Sequence, residues 1–152
     1  MARSASSLSI DPHWPRAGDW LPPSGHSVDF ALLGIPTYST SLSATHANQT
    51  PAAVRAALRY YSEFTDRPLG LSFADYGDAP DPDADEDAAT ALVARAVAAS
   101  RLAVILGGDN AATVPAALGA WGSRLSTAGL VTLDAHHDLR DGRSNGSPVR
   151  PS

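Results

Sequence analysis

The apolar residues of this chain fall in separate blocks, and each block ends in a polar or glycine-rich cluster. The first, VDFALLGIP from Val28 to Pro36, is a nearly unbroken apolar run closed by Gly34 and Pro36. Such a run predicts a strand buried on both faces that opens into a loop. The polar stretch TYSTSLSATHANQ follows. TPAAVRAALRYY then predicts a helix with Thr50 as N-cap, Pro51 at its first position and an apolar stripe at Val54, Ala57, Leu58 and Tyr61. LSFADYGDAP predicts a short strand ending in a turn at Gly77. The acidic run DPDADED leads into a helix over ATALVARAVAAS, and acids suit the positive end of the helix dipole.

RLAVILGGDN is a second strong apolar run, stopped by Gly107 and Gly108. AATVPAALGAWGSRL predicts a helix in which Pro115 sits early enough to be tolerated. GLVTLDAHHD predicts a fourth strand, and LRDGRSNGSPVRPS after it is rich in turn residues. Residues 1–27, with Ser, Pro and Trp but no period, predict an irregular arm whose Trp14 and Trp20 pack on the body, with a partner as the alternative. Alternation of strand and helix argues for an α/β fold with a mainly parallel sheet and helices on its faces. Ligands of such sheets gather beyond the carboxyl ends of the strands. PTYSTS, GGDN and DAHHD all lie at such ends.

Composition narrows the function classes. With 152 residues and 43% hydrophobic content, the chain is long enough for one domain with a real core. Eleven basic residues, all Arg, against sixteen acidic ones give a net charge of −5, so nucleic-acid binding has no electrostatic support. The absence of Cys excludes disulfides, thiolate metal ligands and Cys nucleophiles. No apolar stretch reaches the roughly 18 residues of a membrane span, and the first residues lack the apolar centre of a signal peptide. The expectation is a cytoplasmic protein without membrane or nucleic-acid partners.

The candidate chemistry sits at two strand ends. In an extended backbone Asp134, His136 and Asp138 point to one face, while Ala135 and His137 point to the other. Two carboxylates and one imidazole without thiolate suit Mn²⁺ or another oxygen-preferring cation better than Zn²⁺. A turn cap beside exposed histidines uses the same residues; the buried strand before them and the second polar cluster favour the metal. At GGDN, Gly107 and Gly108 permit a sharp turn and close approach to a ligand, and Asp109 and Asn110 offer oxygens. A strand-to-helix cap is the plainer alternative there. A phosphate loop is excluded by the absence of GK[ST] and G-x-G-x-x-G.

Taken in order, GIP, TPAAVRAAL, DYGD, GGDN and DAHHDLRDG resemble the ureohydrolase family of arginases, agmatinases and formimidoylglutamases over roughly residues 28–149. The resemblance implies a three-layer α/β/α, arginase-like fold and a two-Mn²⁺ centre that hydrolyses the C–N bond of a linear amidine or guanidine. By that comparison Asp134 bridges both ions, Asp138 binds one and orients the nucleophile, and His136 binds the other. Asn110 stands where the family usually has a histidine ligand, and a neutral amide binds more weakly, so fewer than two ions are compatible with this chain. Ser144 and Asn145 take positions where relatives contact substrate. Arg140, Arg143 and Arg150 either hold a substrate carboxylate or face solvent; in the first case an acidic amino-acid derivative such as formiminoglutamate is favoured over agmatine. The family's distal S-x-D-x-D motif does not follow within 152 residues. Residues 28–152 are therefore expected to form the N-terminal half of the metallohydrolase domain, inactive alone. A non-catalytic metal-binding or truncated ureohydrolase-like protein is the alternative, and a homo-oligomer is compatible with either.

Overall fold

The computed structural model describes residues 11–20, 22–23, 27–41, 43–62, 66–67 and 70–135. Three strands, β1 (Val28–Ile35), β2 (Phe73–Asp78) and β3 (Ser100–Gly107), form a parallel sheet in the order β2-β1-β3. They alternate with α1 (Thr50–Leu58), α2 (Glu86–Ala98) and α3 (Thr113–Trp121). This is the α/β class that the block pattern predicts.

β1 is central. It pairs with β3 along its whole length, from Val28↔Ser100 to Ile35↔Gly107, and with β2 from Phe30↔Phe73 onward. The Phe30 and Phe73 rings stack across that register, centroids 5.2 Å apart. The chain steps from β1 to β2 in one direction, then passes back over β1 to reach β3. Right-handed crossovers running in opposite directions put their helices on opposite faces. Leu33 and Ile35 accordingly face Ala89, Leu92, Val93 and Ala96 of α2, with Ala112 and Ala116 before and within α3. Gly34 faces the other way, towards α1: a Cβ there would sit 2.8 Å from the Pro51 Cβ and overlap the Asp78 carboxylate. Helices cover both faces of β1, which is why its sequence reads as continuously apolar.

Local chemistry sets the helix ends. Asp85 caps α2, its carboxylate accepting from the Ala88 amide at 2.9 Å, with Glu86 and Asp87 in the first turn. Pro115 lies in the first turn of α3 and is buried. At α1 the expected cap shifts. A 3₁₀ turn, Ala47–Gln49, runs straight into the helix and bonds the Thr50 amide to the Ala47 carbonyl, so Thr50 is the first helical residue and needs no cap. The helix stops at Leu58, leaving Tyr61 outside it and exposed; Pro51 rather than Ala57 provides its buried contact.

The N-terminal arm is irregular but tied down. Ala17–Trp20 form a 3₁₀ turn, the Ala17 amide donates to the Tyr61 carbonyl at 3.0 Å, and the Asp75 amide donates to Pro22 at 2.9 Å, so the arm runs beside β2. Trp14 remains exposed, against the expectation that it packs on the body. The fourth strand does not form over the described part of GLVTLDAHHD. After the 3₁₀ segment Gly122–Thr127 the chain is irregular to residue 135, and Val131 and Leu133 are 87% and 97% exposed. A strand is held by its ladder and by burial, and residues 129–135 have neither here. No helix among the described residues is long and apolar enough to cross a membrane.

Candidate active site

The connections after β1 and β3 leave towards opposite faces of the sheet, α1 on one and α3 on the other. The crevice between the carboxyl ends of two such neighbouring strands is where open α/β sheets bind ligands. Thr37 and Asp109 meet there.

Past the last ladder pair, the two chains stay joined. The Gly108 amide donates to the Ile35 carbonyl at 3.0 Å and the Asp109 amide to the Thr37 carbonyl at 3.0 Å. Gly108 is required by this approach: a Cβ would lie 2.9 Å from the Thr37 backbone nitrogen and carbonyl carbon and overlap the carbonyl oxygen. Thr37 is 2% exposed, and its hydroxyl lies 3.3 Å from the Asp109 carbonyl oxygen, which accepts. The Asp109 carboxylate turns back onto the loop and accepts from Thr40 Oγ1 at 2.8 Å, Ser41 Oγ at 3.2 Å and the Ala111 amide at 3.2 Å. Partial burial opposes ionisation of Asp109, but the hydroxyls of Thr37, Thr40 and Ser41 and the Ala111 amide outweigh it, so its carboxyl is held below the usual range. The Asp109 carboxylate is thus bonded to the β1 loop, and Asp109 and Asn110, at the start of the 3₁₀ turn Asn110–Ala112, both line an open concavity of about 390 Å³ with Gly107, Gly108 and Thr113.

The loop after β1 is held from a second side. Asp83 accepts from the Tyr38 amide at 3.0 Å, the Ser39 amide at 3.4 Å and Ser39 Oγ at 2.8 Å. Sequence reasoning assigned the whole 81–87 run to a solvated helix start. Asp85 fits that description, whereas Asp83 reaches 45 residues back to position 38. Only its place in a loop at the carboxyl edge hinted at more.

Two other motifs meet through one ion-pair cluster. Arg55 of α1 grips Asp75 with two parallel bonds, Nε–Oδ2 at 2.7 Å and Nη2–Oδ1 at 2.9 Å, and reaches Asp78 through Nη1 at 2.5 Å. Burial works against the Asp75 charge, yet Arg55 and the Gly77 amide hold its carboxyl below the usual range. The TPAAVRAAL and DYGD segments are therefore one clamp that fixes α1 against β2.

Of the expected metal ligands, the described residues include Asn110 and Asp134. Asn110 stands at the crevice; Asp134 lies in the irregular segment beyond α3. His136, His137, Asp138, Arg140, Arg143, Ser144, Asn145 and Arg150 fall outside the described residues. Among the described residues no group of three His, Cys, Asp or Glu side chains is brought together.

Comparison with known proteins decides the kinship. The model of the arginase family matches residues 28–151. The chain belongs to the arginase family. A formimidoylglutamase of Halalkalibacterium halodurans is 30% identical over 164 aligned residues, which take in 96% of this chain and 50% of that protein. The chain thus spans about half the length of this arginase-family relative. The crystal structure of a formimidoylglutamase from Bacillus subtilis superposes with a TM-score of 0.63 at 21% identity, over 78% of this chain and 41% of that one. A hypothetical agmatinase from Burkholderia thailandensis superposes with a TM-score of 0.53 at 26% identity, over 62% and 33%. The arginase-like α/β fold and a hydrolase family follow from these matches.

Proposed function

We propose that this chain carries part of a manganese-dependent hydrolase of linear amidines or guanidines, of the formimidoylglutamase type. The observation that supports it most is the crevice itself: Asp109 pins the loop after β1 to the end of β3 and leaves Asn110 at the opening, at the point in the sheet where the topology locates a ligand. The formimidoylglutamase matched over 96% of the chain supports the substrate class.

The donor set fits the metal by its chemistry. Asp134, His136 and Asp138 offer hard carboxylate oxygens and an imidazole nitrogen, and Asn110 adds an amide oxygen. The Asp109 carboxylate already accepts three hydrogen bonds, two of them from the β1 loop. In the proposed site Asp134, His136 and Asp138 would hold the metal, with Asn110 as a weaker ligand. When bound, divalent ions supply Lewis acidity and a nucleophilic water near neutral pH. Asp138 would also orient the attacking water, and Ser144 and Asn145 would contact the substrate. The chain covers half of its formimidoylglutamase relative, which favours a second reading in which these 152 residues bind metal without turnover.

Calorimetric titration of the chain with Mn²⁺ separates the outcomes, followed by assays with formiminoglutamate, agmatine and arginine, with and without a chain carrying the second half of a relative. Uptake of Mn²⁺ and turnover of formiminoglutamate in the completed pair are expected. Lack of Mn²⁺ uptake by folded protein, or a preference for agmatine, overturns the proposal.

A further inference from the structure

Residues 38–41, just after β1, form a ridge between two concavities of the carboxyl edge. Tyr38, Ser39 and Ser41 line one of about 480 Å³. Asp109, bonded to Thr40 and Ser41, lines the crevice of about 390 Å³ on the other side. We propose that Asp83, from the connection between β2 and α2, is a positioning residue for this ridge: it fixes Tyr38 and Ser39 from the β2 side, as Asp109 fixes Thr40 and Ser41 from the β3 side, and so sets the wall that bounds the substrate. The role towards substrate rests on the hydrolase reading; the hold on the ridge stands without it.

Both carboxylate oxygens of Asp83 are used on the ridge. Oδ2 accepts from the Tyr38 amide at 3.0 Å, while Oδ1 accepts from the Ser39 amide at 3.4 Å and from Ser39 Oγ at 2.8 Å. Two successive amides closing on one anion fix the orientation of a backbone, which a single bond leaves free to pivot. Helix capping makes no demand on Asp83, because Asp85 already accepts from the Ala88 amide. The turn that presents Asp83 is tightly held. The Ala79 amide donates to the Gly34 carbonyl at 2.9 Å, and the Ala84 and Asp85 amides both donate to the Asp81 carbonyl, at 3.0 and 2.9 Å. Pro82, between Asp81 and Asp83, is buried. Asp81 has φ 40°, a left-handed conformation unfavourable to side chains other than glycine's, and such strain persists where the surrounding structure fixes it.

The exposure of the ridge separates positioning from stability. Tyr38, Ser39 and Thr40 are exposed, so water reaches their amides once the Asp83 carboxylate is removed. Behind them Thr37 stays buried, its carbonyl held by the Asp109 amide. Loss of Asp83 therefore disorders the ridge and leaves the sheet beneath it intact. A loosened wall weakens binding of the substrate's ground state and transition state alike, which raises KM and spares kcat.

The test follows amide exchange by NMR in the 152-residue chain, as parent, Asp83→Ala and Asp83→Asn. In Asp83→Ala the Tyr38 and Ser39 amides should exchange about tenfold faster, the size of one lost charge-assisted bond. Gly108 should exchange as in the parent, and the melting temperature should stay close to the parent's. Asp83→Asn, which keeps an acceptor oxygen without the charge, should recover part of the protection. In the pair completed with the second half of a relative, Asp83→Ala should raise KM for formiminoglutamate about tenfold with kcat within about twofold of the parent's, and Asp83→Asn should fall between. Unchanged exchange at Tyr38 and Ser39, equally accelerated exchange at Gly108, or an unchanged KM in an active pair overturns the positioning role. A parent pair without turnover, beside the expected exchange pattern, removes the hydrolase reading and the role towards substrate and leaves the hold on the ridge standing; turnover beside unchanged exchange does the reverse.

Discussion

VDFALLGI and the LVTLD segment carry the same kind of signal, an apolar run ending in a polar cluster, yet only the first is a strand here. β1 has a partner on each side and helices on each face, and Leu33 and Ile35 are fully buried. In the later segment Leu130, Val131 and Leu133 are exposed, even though among the described residues β3 has no strand on its outer side and shows 52% of Leu102 and 42% of Val104. An apolar run states that a segment will be buried if something covers it; it does not supply the cover. Backbone ordering costs about 1–2 kcal/mol per residue, and that cost is offset only when ladder and burial are both present.

The sharpest way to break this contrast is a matched pair of truncations. Leu33→Ala should cost roughly 2–5 kcal/mol in urea unfolding, whereas Leu133→Ala should change stability by less than about 0.5 kcal/mol. Similar losses at both positions would mean that the later segment is packed after all. Gly108→Ala comes next, because the added methyl meets the Thr37 backbone, which cannot swing aside. A loss of about 1–3 kcal/mol is expected, together with faster amide exchange at Gly108 and Asp109, the donors to the β1 end.

Asp109 sharpens the contrast through pH. Its carboxyl is held below the ordinary range in the folded state. Its contribution is therefore complete above the unfolded value of about 3.9 and is lost as pH falls through the lower folded value. The stability gap between the parent and Asp109→Asn should stay level from neutral pH to about 5 and shrink below about 4; a gap that widens in acid would refute the assignment. The smallest effect belongs to the cap of α2. Asp85→Ala should cost about 1 kcal/mol in thermal or urea unfolding and leave Asp83 and the β1 loop untouched. Loss of the loop's ordering in that variant would show that the acidic run acts as one unit.

Much of the molecule was legible one segment at a time. The apolar runs at 28–36 and 101–107 became β1 and β3, and the acids before 88 became the cap of α2; Gly108, expected to admit a ligand, instead admits the Thr37 backbone. Asp83 was not legible, because its partners Tyr38 and Ser39 are remote in sequence and an acid before a helix has a sufficient local explanation. The Arg55 clamp was hidden for the same reason: TPAAVRAAL and DYGD were each visible, but their contact depends on α1 lying over Gly34 and Asp78. At α1 the cap was misplaced because a 3₁₀ turn had already satisfied the Thr50 amide.

By itself the sequence determined the alternation of elements, the parallel α/β class and the residue types gathered at the strand ends, since these follow from local periodicity and side-chain chemistry. The tertiary structure alone decided that β1 lies between β2 and β3, that the crevice falls between β1 and β3, and that Asp83 and Asp109 turn inward onto the loop. Those outcomes depend on which distant segments cover one another, and hydrogen bonds and burial between remote residues leave no mark on local pattern.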